Sequence, residues 1–143
     1  MAIYVVDTSV LIQYFITEPY TAEVGVLLAQ MDRGDELYVP EFCLIECVNV
    51  FWKKVRFQGL SRDDAEQFIT DLLDLPLQIV PVRELLSRAF EIGLAHQLAI
   101  YDSLYIALAL NLNCPLITVD DRQLNAAISN GVIIKPITDF SPE

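Results

Sequence analysis

The chain has 143 residues, of which 54% are hydrophobic, and its formal net charge at pH 7 is -11. This length fits a single domain over residues 1–143, and the hydrophobic excess is typical of a parallel sheet covered on both faces or of a subunit interface. The strong negative charge argues against a protein that holds nucleic acids by general electrostatic attraction.

Strand and helix patterns alternate along the whole sequence. Five short runs rich in β-branched residues predict strands near residues 2, 37, 77, 116 and 132. Helical patterns lie between them, at about residues 8–16, 20–33, 40–59, 61–74, 83–96, 102–111 and 121–129. The order predicts an α/β fold with a mainly parallel sheet and no second domain.

The helix predicted at residues 40–59 is the longest one in the chain. Pro40 suits its first turn, and Gly59 is a typical stop. Its hydrophobic stripe consists of Phe42, Ile45, Val48, Trp52 and Val55. The next two helices, at 61–74 and 83–96, could pack together as a pair.

No targeting segment or membrane span is expected. Asp7 interrupts the N-terminal hydrophobic run, and no Lys or Arg precedes it. The hydrophobic stretches at 42–52 and 100–117 contain Glu46 and Asp102. The three cysteines, which lack Cys-x-x-Cys spacing, are expected to be buried thiols in a reducing cytoplasm.

Acidic residues follow two of the predicted strands. Asp7 follows the first strand, and Asp120 and Asp121 follow the fourth in the segment LITVDD. An Asp in such a place can simply cap the next helix, but one helix start needs only one of the adjacent pair. Because ligands bind at the carboxyl ends of strands in open α/β sheets, these acids are candidates for a functional site.

Two further acids lie within hydrophobic helices. The neighbours of Glu46 predict that it is buried, where it would face an arginine such as Arg83 or Arg88, a metal ion or a polar cleft. Asp102 taken alone is a good helix cap. Together, Asp7, Glu46, Asp102 and Asp120 form an all-oxygen acidic set, which suits Mg²⁺ or Mn²⁺ better than Zn²⁺.

Other polar side chains have two interpretations each. Thr8 and Ser9 are turn residues, or hydroxyls that bind a metal-bound water or a phosphate oxygen. His96 is more typical of a core or capping residue than of a catalytic base. The cations Lys53, Lys54, Arg56 and Arg62 form a solvated helix end or a local nucleic-acid contact.

The segments VVDTSVL, PEFCLIECVNVF, AIYDSLYIALA and LITVDDRQL resemble, in order and spacing, the four acidic motifs of the PIN domain family, which includes the VapC toxins of prokaryotic toxin–antitoxin pairs. The resemblance covers nearly the whole chain. It implies an α/β/α sandwich around a five-stranded parallel sheet, a magnesium-dependent endoribonuclease, an antitoxin partner and frequently a homodimer.

The same resemblance assigns the site residues. Asp7, Glu46, Asp102 and Asp120 are the catalytic, metal-binding acids, and Asp121 could share or replace the role of Asp120. Ser9 is a hydroxyl that often assists in this family.

Two other classes of protein remain as alternatives. A phosphoacceptor receiver domain also places acids at strand ends, but Pro81 and Lys135 do not lie in its pattern. A non-catalytic binding module would use the acids only as helix caps. Metal-dependent cleavage of RNA would separate the predicted ribonuclease from both.

Overall fold

In the computed structural model, which describes residues 1–142, strands and helices alternate as the sequence predicts. The strands are β1 (Ile3–Val6), β2 (Glu36–Pro40), β3 (Gln78–Val80) and β4 (Leu116–Ile117). The helices are α1 (Thr8–Phe15), α2 (Thr21–Ala29), α3 (Phe42–Gln58), α4 (Arg62–Asp74), α5 (Leu86–His96), α6 (Ile100–Leu112) and α7 (Asp121–Ser129). Short 3₁₀ turns at Gln30–Arg33, Arg83–Leu85 and Ile137–Phe140 complete the set.

The strands form one parallel sheet in the order β3-β2-β1-β4, with helices on both faces in a three-layer α/β/α arrangement. Val5 and Val6 of the central strand β1 are fully buried, as are most residues of α6, which packs on β1 and β2. A parallel sheet covered on both sides explains much of the hydrophobic excess. The carboxyl ends of β1 and β4 therefore lie side by side.

The predicted fifth strand near residue 132 does not form. Ile134 makes only an isolated parallel bridge to Leu116, so the sheet of residues 1–142 has four strands. Strand β4 is itself only two residues long, and the chain turns into the 3₁₀ segment at Ile137 soon after the bridge. The hydrophobic run near residue 132 thus has the sequence pattern of a strand, but β4 is too short to pair with it over more than one residue.

The structure corrects three details of the helices. Pro40 ends β2 instead of starting α3. On α3 the buried stripe is Cys43, Cys47 and Phe51, whereas Ile45 and Trp52 are 70% and 56% exposed. The helices α4 and α5 do not pair; α4 packs on α3, and α5 packs on α6.

The start and stop signals of the helices were predicted more reliably. The Ser61 hydroxyl accepts a hydrogen bond from the backbone N–H of Asp64 at the start of α4. Gly59 ends α3 in the left-handed conformation, at φ 76°.

Within residues 1–142 no single helix is long and hydrophobic enough to cross a membrane. Two consecutive helical segments, 83–96 and 100–112, reach that length and hydropathy only when taken together, and the chain bends by 118° between them.

Gly93 permits the close turn that brings α6 back against α5. Its carbonyl oxygen accepts a hydrogen bond from the backbone N–H of Leu98, at 3.0 Å. A Cβ atom at Gly93 would lie 2.8 Å from the carbonyl oxygen of Leu98 and 3.1 Å from Cδ1 of Ile100. Because α6 carries Asp102, this contact also helps to place that acid.

We expect Gly93→Ala to lower the free energy of unfolding by about 1–3 kcal/mol, since backbone atoms must move to admit the methyl group. The matched control is Gly25→Ala in α2, where a Cβ atom would meet nothing within 4 Å. That change should raise stability by roughly 0.5–1 kcal/mol through helix propensity. Urea unfolding of the three chains measures both effects, and equal stabilities of Gly93→Ala and the parent would contradict the packing argument.

Candidate functional site

Asp7 lies where the central strand β1 ends and α1 begins. It is the N-cap of α1, with Oδ1 accepting a hydrogen bond from the backbone N–H of Val10 at 3.2 Å. The capping interpretation is therefore correct, but it is incomplete. The side chain is only 4% exposed, and one cap bond does not satisfy a buried carboxylate with two oxygens.

Two hydroxyl groups complete the hydrogen bonding of Asp7. Ser9 Oγ donates to Oδ1 at 2.6 Å, and Thr118 Oγ1 donates to Oδ2 at 2.6 Å. Each hydroxyl also accepts a backbone N–H from the segment that follows β4, Ser9 from Val119 at 3.2 Å and Thr118 from Asp120 at 3.1 Å. The Asp7 carboxylate thus joins the ends of two neighbouring strands.

Burial raises the pKa of Asp7 from 3.8 to about 7. The hydrogen bonds from Ser9, Thr118 and the Val10 backbone favour the charged form and lower the pKa, but burial outweighs them. The charge of Asp120 raises the pKa further, which places Asp120 within electrostatic range of Asp7.

Glu46 is half-buried on α3, less than its sequence neighbours suggested, and two hydroxyl groups hold one of its oxygens. Thr8 Oγ1 donates to Oε1 at 2.8 Å, and Tyr105 OH donates to the same atom at 2.7 Å. The two hydroxyls lie 2.9 Å apart, and Cys43 Sγ lies 3.5 Å from Thr8 Oγ1. These bonds fix the direction of the carboxylate.

No arginine pairs with Glu46. The ion pairs among residues 1–142 are Arg62 with Glu66 and Lys135 with Asp139. The predicted alternative of a salt bridge to Arg83 or Arg88 is therefore wrong. A polar cleft formed by hydroxyl groups takes its place.

Asp102 is not a helix cap. It is the third residue of α6, whose N-cap position is Ala99, and it is half-buried. Burial raises the pKa of Asp102, the charges of Asp120 and Glu46 raise it further, and Arg122 opposes the shift. The charges of two other predicted site acids, Asp120 and Glu46, therefore act on Asp102.

Asp120 and Asp121 have different positions on α7. Asp120 is the N-cap, with Oδ1 accepting from the backbone N–H of Gln123 at 3.0 Å. Asp121 is an exposed residue of the first turn. The electrostatic effects on Asp7 and Asp102 come from Asp120, which favours Asp120 as the main fourth acid.

The buried side chain of Gln123 links α7 to α6. Its Nε2 donates to the carbonyl oxygen of Asp102 at 2.9 Å, and its Oε1 has no hydrogen-bond partner in the part of the chain that is described. Gln123 thereby holds the backbone beneath Asp102 close to the start of α7, where Asp120 lies.

Three residues of this arrangement were missed by the sequence analysis: Tyr105, Thr118 and Gln123. Thr118 comes two residues before Asp120, and Tyr105 one helical turn after Asp102. A polar residue one turn from, or next but one to, a candidate acid is the signal that could have found them. Tyr105 was instead hidden among hydrophobic residues that predicted core, and Gln123 lies among polar residues at the start of α7, which predicted an exposed position.

The four predicted acids lie around one region, but they do not form a closed set of metal ligands. No group of three or more His, Cys, Asp or Glu side chains within residues 1–142 could hold an ion by itself. Such a cage is not what Mg²⁺ requires, because proteins commonly bind it through one or two carboxylates together with waters and substrate phosphates. The oxygen-only donor set fits that ion.

The remaining polar candidates are placed outside the acid site or serve it indirectly. His96 ends α5, where Nε2 lies 3.0 Å from Nδ2 of Asn130, and so has a structural position. Thr8 and Ser9 have their hydroxyls bound to Glu46 and Asp7, so they orient carboxylates; direct contact with a substrate stays a prediction. The free thiols are Cys43, Cys47 and Cys114.

Comparison with known proteins gives consistent results. The family sequence model of the PIN domain matches residues 4–128. Two curated relatives are Ribonuclease VapC12 of Mycobacterium tuberculosis, 29% identical over 82% of this chain and 87% of its own, and Ribonuclease VapC3 of Pyrobaculum aerophilum, 30% identical over 84% and 90%.

Solved structures share the fold at lower identity. PAE2754 from Pyrobaculum aerophilum has a TM-score of 0.74 and 20% identity, covering 97% of this chain and 94% of its own. VapBC2 from Rickettsia felis, bound to a DNA fragment from its promoter, has a TM-score of 0.70 and 14% identity, covering 94% and 98%. A toxin–antitoxin complex from Klebsiella pneumoniae has a TM-score of 0.55 and 17% identity, covering 87% and 90%.

The raised pKa of Asp7 predicts a stability that depends on pH. Between pH 3.8 and about 7 the folded chain holds a proton on Asp7 that the unfolded chain has lost, so stability falls as pH rises through this window. We expect Asp7→Asn, without divalent ions, to melt several degrees above the parent at pH 8, where 1 kcal/mol corresponds to roughly 3 °C or more. The difference should vanish near pH 4.

The control is Asp32→Asn, which removes the same charge from an exposed position. It should shift the melting temperature little at either pH. If the difference in melting temperature between the parent and Asp7→Asn is the same at pH 4 and pH 8, ionisation of Asp7 does not destabilise the folded chain, and the prediction is wrong.

Proposed function

The chain belongs to the PIN domain family, whose model matches residues 4–128, and we propose that it is a metal-dependent endoribonuclease of the VapC toxin type, which an antitoxin neutralises. The observation that carries this proposal is the buried Asp7 at the end of the central strand, within electrostatic range of Asp120. A cap alone gives no reason to bury a carboxylate at the cost of raising its pKa to about 7.

The named activity of the relatives supports RNA as the substrate. VapC12 and VapC3 are ribonucleases by name, at 29% and 30% identity over more than four fifths of this chain. All four acids that the family motifs predict are present here. Neither histidine chemistry nor a cysteine nucleophile is suggested by the site, since His96 pairs with Asn130 and Cys43 lies behind Thr8.

Asp7, Glu46, Asp102 and Asp120 would hold Mg²⁺ or Mn²⁺ only together with waters and substrate phosphates, and Asp121, which follows Asp120 in the chain, would be a further oxygen donor. When bound, such an ion activates water and stabilises negative charge on the scissile phosphate. Burial raises the pKa values of Asp7 and Asp102, and the charges of neighbouring carboxylates raise them further, so a bound cation would offset a cost that a proton otherwise offsets.

The chain's own residues would position these acids. Ser9 and Thr118 hold both oxygens of Asp7, and Thr8 and Tyr105 hold Oε1 of Glu46, which leaves Oε2 of Glu46 free to bind. Preorganised carboxylates lose little conformational freedom when they bind a ligand. The hydroxyls around the acids are therefore part of the proposed machinery even if none contacts RNA.

Exposed hydrophobic surface supports protein partners. An open groove of about 550 Å³ on α3 is lined by Leu44, Ile45, Val48, Asn49 and Trp52. A second stripe on α5 consists of Leu86, Phe90 and Leu94, all at least 46% exposed. Such surfaces are typical of interfaces, so we propose a homodimer and an antitoxin contact. The free thiols fit a cytoplasmic location.

We expect Asp7→Asn to abolish cleavage of single-stranded RNA in the presence of Mg²⁺ or Mn²⁺, because the change removes charge from the site but little volume. Time courses of a labelled RNA on a sequencing gel measure the loss. Asp32→Asn, exposed and remote from the site, should cleave like the parent. Undiminished cleavage by Asp7→Asn would remove Asp7 from the mechanism and leave a contaminating nuclease or another site as the source.

We further expect Mg²⁺ or Mn²⁺ to raise the melting temperature of the parent, since an ion that binds only the folded chain stabilises it by about 2.7 kcal/mol at 100 times Kd. The shift should be larger at pH 8 than at pH 5.5, because binding must displace protons from Asp7 and Asp102. In Asp7→Asn the shift should be lost. A shift that persists there would indicate general ion effects on an acidic surface.

A further inference from the structure

The exposed side of α3 beyond Glu46 carries a cluster of cations that the acid site does not use. Lys53, Lys54 and Arg56 lie in the last turns of α3, and Arg62 begins α4. Of the nine Lys and Arg residues in the chain, these four fall within residues 47–62, whereas none of its twenty Asp and Glu residues does. On a chain with a net charge of -11 this segment is a local positive surface, which suits a polyanion.

Neighbouring acids neutralise only one of these four cations. Among the ion pairs of residues 1–142 only Arg62 is represented, with Glu66. Lys54 Nζ donates to Gln58 Oε1 at 2.7 Å, and both Lys53 and Arg56 are exposed. Lys53 and Arg56 are therefore available for phosphate groups.

An aromatic ring lies among these cations. Phe57 is 68% exposed, and Arg56 Cζ lies 5.1 Å from its ring centroid. The ring of Trp52 meets that of Phe57 edge to face, with centroids 6.0 Å apart. Aromatic faces that stack bases, next to cations that contact the backbone, are what proteins use to bind single-stranded nucleic acids.

The cluster is aligned with the acid site. Glu46, Asn49, Lys53 and Phe57 follow one another at intervals of three, four and four residues, so they lie along one side of α3. Asn49 and Lys53 are exposed, which leaves this side open between the ends. Eleven residues at 1.5 Å each span about 17 Å, or about five stacked nucleotides at 3.4 Å.

We propose that this line of residues, the α3 track, binds the single-stranded RNA that extends from the acid site, with Lys53 and Arg56 contacting phosphates and Phe57 stacking a base. The assignment of RNA rests on the proposed function. The hydrophobic groove lies on the adjacent side of α3, where Ile45, Val48 and Trp52 are among the lining residues, and it shares Asn49 with the track. RNA and a protein partner would thus occupy adjoining surfaces of one helix.

The test measures RNA binding separately from cleavage. A fluorescein-labelled 12-nucleotide single-stranded RNA of mixed sequence, and a duplex of the same sequence, are titrated by anisotropy with the Asp7→Asn chain, which keeps the RNA intact. In this background Phe57→Leu should weaken single-strand binding about fivefold or more. Lys53→Gln should reduce the slope of log Kd against log salt by roughly 0.7, the value for one phosphate contact on a single strand.

Matched controls lie outside α3. Tyr14→Leu removes an aromatic ring on α1 that is 44% exposed, and Arg88→Gln removes an exposed cation on α5. Both should leave Kd and the salt slope unchanged. Equal losses from these controls and from the α3 variants would overturn the track, as would tighter binding of the duplex. An unchanged Kd in the α3 variants would also overturn it and would assign the surface to a protein partner.

Failure of the track and failure of the ribonuclease proposal have different signatures. If the parent cleaves the same RNA with Mg²⁺ or Mn²⁺ while the α3 variants bind it normally, the track is wrong and the enzyme stands. If no cleavage occurs but Phe57→Leu and Lys53→Gln weaken binding as expected, the chain binds RNA through α3 and the cleavage proposal is wrong.

Discussion

The arrangement of the site depends on the burial of one carboxylate. Asp7 ends the central strand, where a parallel sheet covered on both faces offers almost no water, and both of its oxygens are held by hydroxyls. Those hydroxyls in turn bind the backbone that follows β4. The position of Asp120, the start of α7 and the Gln123 bond to the Asp102 carbonyl follow from the same network. The same hydrogen bonds therefore join the elements of the fold and hold these acids in place.

Because the same contacts serve the fold and the site, an acid can cap a helix and also be a candidate site residue. Asp7 and Asp120 do cap helices, and the charge of Asp120 also acts on Asp7 and on Asp102. Asp102 and Glu46 cap nothing. Their positions on α6 and α3 have no local backbone role, and burial, followed by the charges of Asp120 and Glu46, raises the pKa of Asp102. The proposed cation would offset that cost.

The sequence predicted the order of elements and the helix caps Asp7 and Asp120, because strand ends and helix starts are local patterns, whereas the role of the four acids as one metal site stays a prediction. It predicted the buried face of α3 wrongly, because α3 is hydrophobic on several sides and both the Ile45–Trp52 stripe and the Cys43–Phe51 stripe fit a helical period. Which stripe is buried depends on α1 and α4, against which α3 packs. The fifth strand failed for a similar reason, since β4 is too short to pair with it. The hydroxyls of Thr118 and Tyr105 reach acids 111 and 59 residues away in sequence, which no local pattern encodes.

The charge distribution limits where a polyanion can approach the surface of the fold. Twenty acids against nine cations repel a polyanion over most of the surface, and repulsion of this kind acts at distances up to the Debye length of about 8 Å at physiological salt. A polyanion can approach only where the acids are absent or are compensated. Residues 47–62 are such a region, and they continue directly from Glu46 along α3. General acidity, which at first argues against a nucleic-acid substrate, is therefore compatible with the proposed RNA contact along α3 and favours a short, local contact over an extended one.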